Sequence, residues 1–128
     1  MARRIAMLLV MLVGIIPAGG CAVVAAGAAA AATVAYIQGA LEVEEPHRLE
    51  KVYTATKKAL ADMRMMVTKD TKDMYQAHIE ARDVEDRKAE ITLVATNEGI
   101  TKITIRVGLF GDEVRSRRIY MRIHENLR

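Results

Sequence analysis

One cysteine, two prolines, one phenylalanine and no tryptophan stand in the 128 residues. A single cysteine excludes an intramolecular disulfide, and it excludes the Cys clusters from which structural zinc sites are built. Scarce aromatic residues leave few platforms on which unpaired bases could stack, so no nucleic-acid partner is expected. Charge of one sign is also lacking. The formal net charge is +3, but Arg3 and Arg4 belong to a distinct N-terminal segment, and the remainder carries 17 basic against 16 acidic side chains. No phosphate-cradling glycine loop, nucleophile elbow or triad spacing occurs, and Gly108 and Gly111 flank a strand end without making a dinucleotide fingerprint. The expectation is a protein that is not an enzyme and needs no cofactor.

What is present begins with Arg3 and Arg4 ahead of an apolar run from Ile5 to Ile16. That run has about the length of a signal-peptide core and is too short to span a bilayer comfortably. Pro17, Ala18, Gly19, Gly20 and Cys21 follow. Proline and glycine break the helix, and small side chains leave the backbone open to a peptidase. The arrangement resembles the lipobox of bacterial lipoproteins, with Gly19 and Gly20 at its small-residue positions and Ala18 where leucine is favoured. The resemblance implies a signal peptide over 1–20 and lipid attachment at Cys21. Two or more acyl chains hold a protein stably on a membrane. Ala22, not Asp, follows the cysteine, which by the same resemblance directs the protein to the periplasmic face of the outer membrane. The alternative is an uncleaved single-pass anchor in the inner membrane, because Ala22 to Ile37 is also uncharged. Pro17 and the two glycines interrupt such a span, and alanine contributes little to insertion.

The Ala/Gly-rich residues 21–35 read as a tether and residues 36–128 as one small domain. Ile37, Leu41 and Val43 predict a first strand that ends before Pro46, with Gly39 a weak point in it. From Pro46 to about Met65, Leu49, Val52, Tyr53, Thr56, Leu60 and Met63, continued by Val67, recur at helical steps. A short strand near Met66 to Lys69 precedes three runs of period two. These are Tyr75, Ala77, Ile79 and Ala81; Ala89, Ile91, Leu93 and Ala95; and Ile103, Ile105, Val107 and Leu109. Gly111 breaks the last run, Asp112 can cap a helix, and Ile119, Tyr120, Ile123 and Leu127 give that helix an apolar stripe. The fold class is therefore α+β, in β-α-β-β-β-β-α order. An antiparallel sheet of four to five strands should carry two helices on one face.

Few side chains point to chemistry. His47, His78 and His124 do not share a helix at four-residue spacing, and no metal is expected. Glu42, Glu44 and Glu45 read as a charged rim before Pro46, and Asp83, Glu85, Asp86 and Arg87 as a solvated connection between strands. Arg115, Arg118 and Arg122, at helical spacing, form a stripe beside the apolar face of the last helix. Guanidinium groups grip phosphates and carboxylates in a bidentate way, so this stripe is the candidate anion-binding surface. Pairing with nearby carboxylates is the ordinary alternative. The leading expectation is a non-enzymatic module, held to the membrane by its N-terminal lipid, that binds an envelope protein partner or serves a structural role. A binder of anionic lipid or a small ligand is the alternative.

Several short pieces, in order, carry a resemblance over nearly the whole chain. They are Gly20-Cys21-Ala22, the Ala-rich tether, Tyr36-Ile37-Gln38-Gly39 with Leu41-Glu42, and Leu49-Glu50-Lys51-Val52-Tyr53 leading into Ala59-Leu60. Thr71-Lys72-Asp73 follows, then Arg106-Val107-Gly108-Leu109-Phe110-Gly111-Asp112-Glu113 with Ser116. The chain resembles a family of small bacterial lipoproteins, the domain of unknown function 3568 family. That resemblance implies a lipid-anchored envelope protein and carries over no catalytic residue.

Overall fold

Residues 33–97 and 99–128 are described by a computed structural model of the chain. The expected signal peptide, Cys21 and the tether up to residue 32 lie outside the described residues. Eight elements follow in order: β1 (Thr33–Ile37), β2 (Ala40–Glu45), α1 (Leu49–Asp62), β3 (Met66–Lys72), β4 (Gln76–Arg82), β5 (Lys88–Asn97), β6 (Ile100–Val107) and α2 (Glu113–Glu125). Thr33 to Ala35, expected in the tether, open β1.

The sheet has six strands in the order β1-β2-β6-β5-β4-β3, one more than the upper end of the four to five expected. The extra strand comes from the segment read as one strand around Ile37, Leu41 and Val43. It is a hairpin. Ile37 pairs with Ala40 across Gln38 and Gly39, whose φ angles are 50° and 80°. Two successive positive φ values make the turn whose twist matches its flanking strands, and Asn-Gly or Asp-Gly usually announces it. Gln-Gly does not, so the alternation appeared continuous.

Every neighbouring pair is antiparallel, which leaves β2 and β3 pointing the same way. Such a pair requires a crossover, and α1 provides it. The helix starts at Leu49 after Arg48, so Pro46 lies in the preceding turn and not in the first helical turn. It stops where Arg64 takes a φ of 56° and Met65 N donates to Leu60 O at 2.9 Å. A left-handed residue there closes the helix and satisfies a terminal carbonyl.

Both helices pack on the same face of the sheet, α2 over β2 and β6, and α1 over β3, β4, β5 and β6. Buried Val52, Ala59 and Leu60 of α1 and Ile119 and Ile123 of α2 meet Leu41, Val43, Ile79, Ile91, Leu93, Ile103 and Ile105 of the strands. Each fully buried Leu or Ile contributes roughly 1.5–3 kcal/mol of transfer free energy. Leu109 leaves the expected pattern, since Gly108 at φ 72° turns the chain and exposes it. Thr101, at the other end of β6, takes the inward position instead, and its hydroxyl donates to His47 O at 2.8 Å.

One tight contact joins the hairpin to the entry of α2. A Cβ on Gly111, whose φ is 84°, would lie 2.3 Å from Gly39 O and 2.7 Å from Tyr36 Oη. Only glycine fits there.

Candidate functional site

Two of three side-chain clusters involve α2, one of them exposed and one buried. Asp112 starts this helix by accepting the Arg115 backbone N–H at 3.0 Å, as its sequence position predicts. Ser116, Ile119, Tyr120 and Ile123 then face the sheet, and the arginines fall on the flanks and the outer side.

The three arginines of the expected stripe have different surroundings. Arg115 lies across three carboxylates, with Nη1 3.2 Å from Asp83 Oδ2, Nη2 3.0 Å from Glu85 Oε2 and Nε 3.3 Å from Asp112 Oδ2. It clasps the β4–β5 connection to the start of α2. An incoming anion would have to displace those carboxylates, so Arg115 is a poor anion site. Arg122 reaches Glu125 at 3.2 Å, and Arg117, one turn away, reaches Glu113 at 2.8 Å. Both pairs are exposed and add little to stability. Arg118 has no ion pair among the described residues.

Around Arg118 the surface is apolar. A shallow open groove of about 430 Å³ runs along the outer face of α2, lined by Met63, Val114, Met121 and Arg117, Arg118, Arg122 and Glu125. Val114 and Met121 are largely exposed. Arg118 also borders a second groove, which Asp83, Glu85 and Arg115 line on its other side. Chemically, the outer face of α2 offers a short apolar strip edged by guanidinium groups.

The buried cluster centres on Glu45, a carboxylate with no solvent exposure at the end of β2. Its Oε1 accepts the Tyr120 hydroxyl at 2.5 Å and lies 2.9 Å from His124 Nδ1. Its Oε2 faces His47 Nδ1 at 3.5 Å. Burial, reinforced by the carboxylate, pushes the Tyr120 hydroxyl well above the usual phenol range. Glu45 is thus no part of a charged rim. It ties the last turn of α2 and the β2–α1 connection to one strand end. Alternation contained the signal, because Leu41, Val43 and Glu45 share one phase.

His78 lies on the opposite, polar face of the sheet, 3.2 Å from Thr92 Oγ1 and 3.1 Å from Glu80 Oε1. The other histidines therefore come together, and His78 stays apart. Among the described residues no group of three or more His, Cys, Asp or Glu is arranged to hold a metal, and no helix is long and apolar enough to cross a membrane.

A third cluster joins α1 to the edge strand β3. Asp70 accepts hydrogen bonds from Lys57 and from the Tyr53 hydroxyl, and Lys72 pairs with Glu50 at 2.6 Å. The Lys57 contact, with help from Tyr53, holds the Asp70 carboxyl below the usual range. This cluster fastens the helix to the sheet edge.

The model of one protein family, described as protein of unknown function (DUF3568), matches residues 4–126. No curated protein matches the chain.

Proposed function

The chain belongs to that family, and on this premise we propose that it is a lipid-anchored protein of the bacterial cell envelope whose folded domain binds an envelope partner and catalyses no reaction. The observation that carries the proposal is Gly19-Gly20-Cys21 behind an apolar leader with Arg3 and Arg4 at its start. Residues 22–32 alone separate Cys21 from β1. Fully extended, they reach about 40 Å, so the domain would work close to the lipid surface.

Partner binding is assigned to the outer face of α2, where exposed Val114 and Met121 flank Arg118. The matching partner is an acidic, amphipathic segment of another envelope protein. An anionic lipid headgroup is the second reading, supported by the lack of an ion-pair partner for Arg118 among the described residues.

Anchoring is tested by separating inner and outer membranes from a Gram-negative host expressing the full chain. The full chain should appear in the outer-membrane fraction and Cys21→Ser should stay, uncleaved, with the inner membrane. Both proteins in the inner membrane, with the full chain neither cleaved nor acylated, would contradict the proposal. A photo-crosslinking residue in place of Met121 then tests the docking face. One defined protein adduct, lost on Arg118→Glu, is expected; lipid adducts alone would favour the second reading, and no adduct would exclude this face.

A further inference from the structure

We propose that β1 is a self-association edge, through which two copies of this chain join their sheets in antiparallel register about Ala35.

The two edges of the sheet are built differently. β3 is irregular between Val67 and Lys69, carries Lys69, Asp70 and Lys72, and is fastened by ion pairs to α1. Bulges and charges are the usual guards against strand addition. β1, Thr-Val-Ala-Tyr-Ile, carries no charge, no proline and no bulge against β2. Among the described residues no strand pairs with its outer side. Neither helix covers it, since α2 lies over β2 and β6. Val34 and Ile37 are exposed at 38% and 51%.

The occupant is selected by register and charge. Val34 pairs with Val43 and Tyr36 with Leu41, so Val34 and Tyr36 share the helix-covered face with the core. All five residues of two β1 strands pair only with Ala35 on the two-fold axis. Val34 of one copy then opposes Tyr36 of the other, and Leu41, Tyr36, Val34 and Val43 form one apolar row from core to core. Aromatic against β-branched is a favourable cross-strand pair. The small Ala35 pair lets the strands close at the axis, and no charged side chain of β1 opposes its twin. Residues 28–32, immediately before β1, are all alanine, a weak strand former. One five-residue ribbon buries less than a standard interface, so the dimer is weak in solution. Attachment of both copies to one surface would raise their effective concentration.

The test is oxidative crosslinking of the full-length chain, purified in detergent, carrying Ala35→Cys, with the wild type and the opposite-edge Thr71→Cys as controls. Ala35→Cys should give a disulfide-linked dimer several-fold above both controls, and adding Val34→Lys or Ile37→Lys should return it to control level with unchanged circular dichroism. Yields for Ala35→Cys no higher than for Thr71→Cys would overturn the proposal. So would a dimer that survives both lysine substitutions. The same Ala35→Cys chain oxidised in isolated envelopes must again give the homodimer; an adduct to a different protein in its place would show that another chain occupies the edge.

Discussion

Glu45 shows how much can depend on one side chain. Burying a carboxylate costs free energy unless it is hydrogen-bonded; Tyr120 and His124 both meet Oε1, while Oε2 has no hydrogen-bond partner among the described residues. Glu45→Ala should lower unfolding free energy by about 2–3 kcal/mol, because a buried hydroxyl and an imidazole lose their shared acceptor. Glu45→Gln, which keeps an acceptor oxygen, should cost less. Urea denaturation compares the three proteins, and an Ala variant as stable as the wild type would contradict the tie between α2 and β2. Asp70 supplies the pH dependence. Its folded pKa lies below the ordinary aspartate value of about 3.9 expected in the unfolded chain. Its contribution is therefore full above that range and is lost as pH falls through the folded value. The stability gap between wild type and Asp70→Asn should be open at neutral pH and should close as pH drops below about 4. A gap that is constant with pH would show that the Lys57 and Tyr53 contacts do not depend on charge. The effect is modest, because the Asp70 side chain is a quarter exposed.

Among the elements, the strands with strict alternation were legible from the sequence. Ala77, Ile79 and Ala81, then Ala89, Ile91 and Leu93, point inward as their period requires. The stripe of α2 was equally clear in Ile119, Tyr120 and Ile123, and Leu127 is buried as expected although the helix ends at Glu125. The β1–β2 hairpin was not, because its turn depends on Gln38 adopting a positive φ that few residues advertise. Leu109 misled for a related reason, since alternation cannot tell where a glycine turns the strand away. The joint between these pieces is Gly39 against Gly111. Gly111→Ala adds a Cβ into Gly39 O at a φ of 84°. It should cost more than about 1 kcal/mol. Thermal or urea unfolding checks this, and a neutral outcome would mean that the hairpin and the α2 entry can separate without penalty.

At the scale of the whole molecule, the sequence spoke about the ends and the structure about the middle. The arginine stripe was visible as spacing, but spacing cannot show that Arg115 is already held by Asp83, Glu85 and Asp112, which are distant or unremarkable in the chain. Nor could it show that Glu45, His47, Tyr120 and His124 converge, because two of them precede α1 and two follow β6. The described residues form one helical layer on one sheet, and eleven residues of sequence separate β1 from Cys21. Its outer α2 face and its uncharged β1 edge lie on different parts of the surface, so partner docking and self-association are compatible.

Everything assigned to the envelope depends on the N-terminal chemistry, and the mass of the N-terminal peptide of the full chain expressed in a Gram-negative host tests it most directly. The account predicts a peptide that begins at Cys21 and carries acyl groups, absent from Cys21→Ser. An unmodified peptide that begins at Met1 would contradict the lipid anchor and assign the leader to a membrane-spanning segment.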